Sequence, residues 1–481
     1  MAAVFDWLIR GAELIDGSGR PRFAADVGLA QDRIAAVLPP GQGQARRVMA
    51  AEGLVLCPGF IDTHAHDDLL ALMPTQPHPK LAQGVCTVVV GNCGISLAPL
   101  QVDQPPAPLD LVAQGAPRFA CFADYLQALD DARPSVNVVP LVGHTSLRLA
   151  HVADLSRSAT AAEVAAMRAA VGAALDAGAF GLSTGVYYPP ARAASTDELM
   201  GVCDALRGRD AMLAMHLRDE GDHLEAAVQE ALQVGAACQA RLVLSHHKVV
   251  LPHNHGKTRR TLQAVDAAAA GQAVCLDCYP YEASSTMLDA DRAARVQEVL
   301  VTWSTPHPAC SGRSLRSIAG DWGVSLHEAA RRLLPGGAIY FTMAAEDVER
   351  VLQHPLTMIG SDGLPHDRHP HPRLWGSFPR VLGHYSRDRA LLPLEAAVHK
   401  MTGLPAQRFG LHDRGRVAPG QMADLVLFDP ATVRDNASYA EPTAPPSGIE
   451  AVWVNGVLAL QRGEYLDLRA GQRLRPAPMA G

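Results

Sequence analysis

Two histidines in the stretch Pro58-Gly-Phe-Ile-Asp-Thr-His-Ala-His66 are the first residues along the chain whose spacing suits chemistry. Phe60 to His66 has the pattern of a short strand, and successive side chains on a strand point to opposite faces. His64 and His66 therefore point the same way. Two imidazoles held side by side supply half of a zinc site, although a His-x-His pattern alone is a weak signal.

Metal-binding residue types recur after four more apolar, strand-like segments. The carboxyl ends of parallel strands meet at one rim of a barrel, so residues that follow such strands converge although they are distant in sequence. These residues are Cys93 in Gly91-Asn-Cys-Gly94, His216 after Met212–Met215, His246 and His247 after Arg241–Ser245, and Asp362 in Gly360-Ser-Asp-Gly363. The pattern predicts a metal site, and the ligand types favour zinc.

These residue types suit the hydrolysis of an amide or a related bond. A thiolate binds zinc strongly, or bridges two ions, because it is soft and carries a full charge. Zinc polarises a carbonyl and lowers the pKa of a bound water to about 7. An aspartate beside that water, here Asp362, can take its proton and pass it to a leaving group. The spacing leaves open whether His246 or His247 is the ligand.

Apolar runs alternate with helical patterns between residues 58 and 410, which predicts a parallel sheet covered by helices. Eight strand candidates fall there, and a (β/α)8 barrel of the TIM type is their natural closure. The candidates are Phe60-Ile61, Thr87–Val90, Val136–Val142, Phe180–Ser183, Met212–Met215, Arg241–Ser245, Ala273–Asp277 and Leu356–Ile359. A helix between the third and fourth is capped by Thr160, has Glu163 three residues on, and ends at Gly178.

Both chain ends carry short β signals without helical periodicity. We expect residues 1–57 and 411–481 to pair into one small β-sandwich domain beside the barrel of residues 58–410. Residues from about 284 to 342 form an insertion, with helical patterns at Arg292–Val301 and His327–Leu334. A subdomain near the barrel mouth is expected there. The predicted fold class is α/β.

Composition and charge narrow the function classes. The net charge of -7 gives no electrostatic reason for a nucleic-acid or anionic-membrane partner. No apolar run reaches the ~18 residues of a membrane helix, and the N-terminus lacks the features of a secretory signal. Nine cysteines without framework spacing favour reduced thiols, so we expect a cytoplasmic protein. No pattern indicates the oligomeric state.

Several motifs resemble those of the D-aminoacylases, the N-acyl-D-amino-acid deacylases of the amidohydrolase superfamily. They are Gly59-Phe-Ile-Asp-Thr-His-Ala-His66, Gly91-Asn-Cys-Gly-Ile-Ser96, Ser245-His-His-Lys248, Gly360-Ser-Asp-Gly-Leu-Pro-His366 and Pro370-His-Pro-Arg-Leu-Trp-Gly376. The resemblance covers essentially the whole chain. It implies zinc-dependent hydrolysis of N-acyl-D-amino acids by metal-activated hydroxide, which gives a carboxylate and a free D-amino acid. Many amidohydrolases carry a bridging lysine at the end of strand four. Phe180-Gly-Leu-Ser-Thr-Gly185 has no lysine, and the resemblance implies that Cys93 takes the place of that lysine.

The resemblance also implies a role for each site residue. Cys93, His216 and His246 would hold one tightly bound zinc, a choice that selects His246 over His247. A second, weaker zinc would be held by His64, His66, Cys93 and Asp362. Asp362 would act as general base and then as general acid. The positions that match the family's substrate-binding residues are Lys248, Tyr279, Ser285 and Arg373, cations and donors suited to a small-molecule substrate with an α-carboxylate.

Alternatives concern both the substrate and the class of protein. Arg292 and Arg295 could pair with an acidic side chain, which suggests N-acyl-D-glutamate or N-acyl-D-aspartate as substrate. Met287, Leu288 and Met343 could instead line a pocket for apolar D-residues, and an apolar or broad preference is slightly favoured. The absent strand-four lysine argues against another amidohydrolase, such as a dihydropyrimidinase-like enzyme. A non-catalytic binding protein of this fold would be expected to lose metal ligands, whereas every candidate is present.

Overall fold

The structure is a computed structural model that describes residues 4–73, 75–102, 104–113 and 115–477. Strands form wherever β-branched and aliphatic residues recur between turns. In chain order they are β1 (Val4–Leu14), β2 (Phe23–Ala30), β3 (Arg33–Leu38), β4 (Gln44–Ala50), β5 (Val55–Pro58), β6 (Phe60–Asp62), β7 (Val85–Val90), β8 (Asn137–Gly143), β9 (Gly181–Gly185), β10 (Met212–His216), β11 (Arg241–Leu244), β12 (Val274–Cys278), β13 (Ala283–Met287), β14 (Val299–Ser304), β15 (Gly336–Phe341), β16 (Thr357–Ile359), β17 (Leu425–Phe428), β18 (Ile449–Val454), β19 (Val457–Gln461) and β20 (Glu464–Tyr465).

Helices follow most of the strands in the middle of the chain. The α-helices are α1 (Asp110–Ala113), α2 (Phe122–Ala132), α3 (His144–His151), α4 (Ala161–Ala177), α5 (Pro189–Arg192), α6 (Thr196–Cys203), α7 (Leu224–Cys238), α8 (Thr258–Ala269), α9 (Ala290–Arg295), α10 (Leu315–Trp322), α11 (Leu326–Leu333), α12 (Ala345–Gln353), α13 (Arg373–Arg380), α14 (Leu394–Met401) and α15 (Gly403–Phe409). Short 3-10 segments lie at Leu70–Leu72, Leu81–Gln83, Asp204–Leu206, Pro252–Asn254 and Pro308–Cys310, and Val381–Asp388 is a π-helix. None of the described helices combines the length and hydrophobicity of a membrane span.

The central sheet is a barrel. Within the described ranges eight parallel strands pair in the order β16-β12-β11-β10-β9-β8-β7-β6. The seam between β16 and β6 closes through Thr63 N, which donates to Ile359 O at 3.3 Å, and Asp362 N, which donates to His64 O at 2.7 Å. The predicted (β/α)8 class and its eight strands are therefore confirmed. The seam also places side by side residues that are nearly 300 positions apart in sequence.

Two local predictions differ in outcome. Helix α4 has the predicted capping box between Thr160 and Glu163, and Gly178 ends it in the left-handed conformation. The prediction of a strand from Phe60 to His66 is wrong in its length, because β6 ends at Asp62 and the chain bends at the next two residues. At this point the backbone takes partners on both sides. The His64 carbonyl accepts from Asp362 N across the seam at 2.7 Å, and Ala65 N donates to Val89 O of β7 at 3.0 Å.

A second sheet joins both ends of the chain, as expected. In the described residues it has nine strands, in the order β20-β19-β18-β17-β5-β1-β2-β3 with β4 beside β1. Antiparallel pairing of β5 with β17 connects the two ends, and the sheet surrounds its own core, which includes Trp453. The exact division of the chain at residues 57 and 410 stays a prediction.

The insertion packs as a small layer with its own core. Its strands β13, β15 and β14 form an antiparallel sheet that is covered by α9, α10 and α11. The predicted helix Arg292–Val301 is wrong in its second half, since α9 ends at Arg295 and Val299 begins β14. A strand is favoured over a helix at Val299 because β14 pairs with β15, which lies more than 30 residues further along the chain.

Candidate metal centre and substrate pocket

The six predicted metal ligands converge at one rim of the barrel. They form two groups, Cys93, His216 and His246 in one, and His64, His66, Cys93 and Asp362 in the other. The ligand atoms within each group all lie within 4.8 Å of one another, and every one of these residues is buried. Cys93 belongs to both groups. This is the division that the family resemblance implies.

Distances within the first group show which atoms face each other. Cys93 Sγ lies 3.3 Å from His246 Nε2, and His246 Nε2 lies 2.8 Å from His216 Nδ1. Within the second group, the same sulfur lies 3.2 Å from His64 Nε2. The sulfur thus lies close to imidazoles of both groups and could serve as a ligand in either.

Asp362 borders the second group. Its Oδ1 lies 3.2 Å from His66 Nε2 and 3.6 Å from His64 Nε2. Its Oδ2 forms an ion pair of 2.8 Å with Arg373 Nη1. The two oxygens therefore have separate partners, imidazoles on one side and a guanidinium on the other.

The backbone at the strand ends is bent to aim these side chains. Cys93, His246 and Asp362 have φ values of 55°, 35° and 51°, in the left-handed region that costs a non-glycine residue about 1 kcal/mol or more. Gly91, two residues before Cys93, permits a close approach of the backbone to β8, because a Cβ on Gly91 would lie 2.0 Å from Leu141 O. Strain of this kind clusters at functional sites.

Burial and charge together set the protonation of two groups. Burial alone would raise the pKa of the Cys93 thiol, but the neighbouring His64 and His246 hold that pKa well below its usual range. Burial would likewise raise the pKa of Asp362, yet Arg373 and His246 hold it well below its usual range. A thiolate and an ionised carboxylate are the forms that bind metal ions.

Sequence reasoning missed two buried carboxylates that lie behind the imidazoles. Glu220 Oε1 lies 3.2 Å from His246 Nδ1 and 3.7 Å from His216 Nε2. Asp277 Oδ1 lies 3.3 Å from His64 Nδ1. The available signals were an acidic residue shortly after the strand that ends at His216, and a lone aspartate inside the apolar run of β12.

The four predicted substrate-binding residues also meet at this rim. Two cations lie near the Tyr279 ring, with Lys248 Nζ 5.6 Å and Arg373 Cζ 4.5 Å from its centroid. Lys248 Nζ pairs with Glu220 Oε1 at 2.5 Å, so both cations have carboxylate partners. The Ser285 hydroxyl is buried and has no hydrogen-bond partner among the described residues.

Other histidines have structural partners. His247 Nε2 hydrogen-bonds to Thr261 Oγ1 on α8, outside the barrel, which agrees with a packing role. His144 is buried, and its Nε2 lies 3.2 Å from Glu198 Oε1. His369 and His371 each contact a backbone carbonyl through Nε2, and neither belongs to a metal-binding group of the described residues.

The insertion contributes Arg292 to a cavity beside the metal centre. The cavity has a volume of about 230 Å³ and is also lined by Tyr187 and Glu220. Arg292 donates to Tyr187 Oη at 3.2 Å and to Ser284 Oγ at 3.0 Å, and its guanidinium lies 4.1 Å from the Tyr340 ring centroid. None of the ion pairs found in the described residues involves it. Leu288, predicted as a pocket residue, lies in the insertion's own core.

Comparisons with known proteins agree over nearly the whole chain. The profile of the amidohydrolase family matches residues 47–300 and 253–459. The chain is 52% identical over 475 residues to the N-acyl-D-aspartate deacylase of Alcaligenes xylosoxydans xylosoxydans, covering 98% of this chain and 95% of that protein. It is 50% identical over 471 residues to the D-aminoacylase of the same organism, covering 98% and 97%. The crystal structure of N-acyl-D-glutamate deacylase from Bordetella bronchiseptica, complexed with zinc and a phosphonate inhibitor, has a TM-score of 0.94 at 47% identity, covering 98% of this chain and 100% of that one.

Proposed function

The chain belongs to the amidohydrolase family, and we propose that it is a zinc-dependent deacylase that hydrolyses N-acyl-D-amino acids to a carboxylate and a free D-amino acid. The observation that carries the proposal is the pair of buried ligand groups that share Cys93 and border the Asp362 carboxylate. Its relatives of about 50% identity are named for the same reaction on different D-amino acids. The absence of a lysine in β9 argues against the dihydropyrimidinase-like alternative.

The donor set fits zinc. One thiolate and two imidazoles, all buried, are soft to intermediate donors of the kind that zinc prefers. Zinc supplies polarisation of the substrate carbonyl and a water whose pKa is about 7. We assign the tightly bound ion to Cys93, His216 and His246, and a second, weaker site to His64, His66, Cys93 and Asp362.

Asp362 carries the proton transfers in this proposal. Its Oδ1 faces the imidazoles, where it accepts a proton from the attacking water. It then donates that proton to the amide nitrogen as the C–N bond breaks. The ion pair with Arg373 favours the ionised carboxylate, which is the form that a general base requires.

Lys248, Tyr279, Ser285 and Arg373 are proposed to bind the α-carboxylate of the substrate. Two cations near one aromatic ring provide charge, and the Ser285 hydroxyl, which has no partner among the described residues, supplies a further donor. Because Lys248 and Arg373 already contact Glu220 and Asp362, the substrate carboxylate must share or replace those contacts. The fixed side from which these groups approach gives the site a basis for selecting one enantiomer.

Hydrolysis of N-acetyl-D-methionine, with N-acetyl-L-methionine as the matched control, tests the reaction. The D substrate should be cleaved and the L substrate should not. Asp362→Asn should keep its tightly bound zinc while kcat falls roughly 10²–10⁴-fold, the usual contribution of general acid–base catalysis. A wild-type protein that binds zinc but cleaves no N-acyl-D-amino acid would identify a non-catalytic binding protein instead.

A preference for acidic D-side chains is the second candidate, alongside an apolar or broad preference. It is favoured by Arg292, a cation without an acidic partner among the described residues that lines the cavity next to His216. Comparing kcat/KM for N-acetyl-D-glutamate, N-acetyl-D-leucine and N-acetyl-D-methionine decides between the candidates. Arg292→Met should lower only the value for the glutamate substrate if the acidic preference is correct.

We also propose a cytoplasmic location and a small-molecule substrate as the partner. All nine cysteines, which lie in the described part of the chain, are free thiols, and eight of them are buried. Free thiols in this number fit a reducing compartment. Fractionation of the native host with an antibody to the chain tests the location.

A further inference from the structure

The Glu220 carboxylate faces the outer nitrogens of both imidazoles that we assign to the tightly bound zinc. Glu220 is only 7% exposed and lies four residues after His216 in sequence. A single oxygen, Oε1, lies 3.2 Å from His246 Nδ1 and 3.7 Å from His216 Nε2. No step of the proposed reaction uses this buried carboxylate.

The hydrogen-bond roles around His246 require an acceptor. Its Nε2 faces Cys93 Sγ at 3.3 Å, so Nε2 is the ligand atom and Nδ1 must carry the proton. Two groups lie near that N–H, Lys248 Nζ at 2.8 Å and Glu220 Oε1 at 3.2 Å. A lysine ammonium has only donors, whereas a carboxylate has only acceptors. Glu220 is therefore the neighbour that can hold the His246 ring in its ligating tautomer.

The same reasoning applies to His216 through its opposite nitrogen. Its Nδ1 lies 2.8 Å from His246 Nε2 and faces the metal group. Its Nε2 is buried and has no hydrogen-bond partner within the described ranges. Glu220 Oε1, at 3.7 Å, is a carboxylate oxygen that a small rotation of either side chain would bring into contact. Lys248, at 2.5 Å from the same oxygen, balances the charge of Glu220.

We propose that Glu220 is a positioning residue that fixes the tautomers and orientations of His216 and His246 for the tightly bound zinc. Asp277 is assigned the corresponding role for His64 in the second site, on its Oδ1 to Nδ1 distance of 3.3 Å. Metal-binding histidines commonly donate their second N–H to such carboxylates, which raises their affinity for the ion. The inference rests on the proposed function, because it takes these histidines as zinc ligands.

Zinc affinity of the full chain, measured by competition with a chromogenic chelator, tests the proposal. Glu220→Gln removes the charge but keeps the shape, and it should weaken the tight site roughly 10–100-fold. Asp277→Asn is the matched control. Its Oδ1 can still accept from His246 N, as Asp277 Oδ1 does at 2.7 Å, so it should weaken only the second site. In cobalt-substituted protein, the sulfur-to-cobalt absorption of Cys93 should persist in Glu220→Gln while the ligand-field bands shift.

Two further variants guard against misfolding, since Glu220→Gln leaves a buried lysine without its partner. Glu220→Gln combined with Lys248→Met removes both charges and should show the same loss of zinc affinity, whereas Lys248→Met alone should keep the affinity. An unchanged zinc affinity in Glu220→Gln, or an equal loss in Asp277→Asn at the tight site, overturns the role of Glu220 alone. A wild-type chain that binds no zinc overturns the proposed function as well.

Discussion

Replacing Lys80 with methionine should destabilise the barrel where its first and last strands meet. The Lys80 side chain is completely buried, and its Nζ lies 2.8 Å from Asp62 Oδ2 and 2.7 Å from Ser361 Oγ. Asp62 ends β6, and Ser361 follows β16 and precedes Asp362. The ammonium group thus links the two strands on either side of the seam, next to the proposed general base.

The expected loss of unfolding free energy is about 3 kcal/mol. Breaking a buried ion pair by removing one partner costs about 3–5 kcal/mol, because an uncompensated charge stays behind. The lower end applies here, since Asp62 Oδ1 keeps two backbone donors, Ser361 N at 2.8 Å and His64 N at 3.2 Å. Methionine is close to lysine in length and shape, so little cavity is created.

Urea unfolding followed by far-UV circular dichroism measures the effect. Lys400→Met is the matched control, because Lys400 is also buried but donates to the carbonyls of His354 and Thr357 rather than to a carboxylate. Its loss should cost about 1–2 kcal/mol. Adding Asp62→Asn to Lys80→Met should recover part of the loss. The reasoning is refuted if Lys80→Met costs no more than Lys400→Met, or if the double variant is as unstable as the sum of its parts.

Three more predictions concern the shared thiol, the substrate pocket and the pH dependence of stability. Cys93→Ala should abolish zinc binding in both ligand groups, because the sulfur belongs to each, and metal analysis that still finds one tightly held zinc per chain contradicts this. Ser285→Ala should raise KM roughly tenfold or more, the worth of one hydrogen bond to a charged group, without lowering the stability of the zinc-free protein, since the hydroxyl has no partner in the described structure. Burial lowers the pKa of Lys400 from 10.5 to about 8, so between these values the unfolded chain binds more protons than the folded one. Wild-type stability relative to Lys400→Met should therefore rise by about 3 kcal/mol as the pH increases through that window, and a flat difference in the urea midpoints rules it out.

The barrel was predictable because its strands are apolar on both faces and alternate with helices, a pattern that few folds share. The metal ligands were predictable for a related reason. His, Cys and Asp residues directly after such strands must meet at one rim, wherever they lie in the sequence. The insertion was predicted less well, since Val299–Ser304 becomes a strand only by pairing with β15.

Local patterns alone predicted the class of barrel and the six candidate ligands, and motif resemblance added the choice of His246 over His247. The folded structure was needed to show that Glu220 and Asp277 lie against the imidazoles and that Lys248 and Arg373 are already paired with carboxylates. The reason is physical. Ligand types follow from local patterns, whereas a contact between side chains depends on strand ends that meet only when the seam closes. It also depends on the left-handed backbone at Cys93, His246 and Asp362.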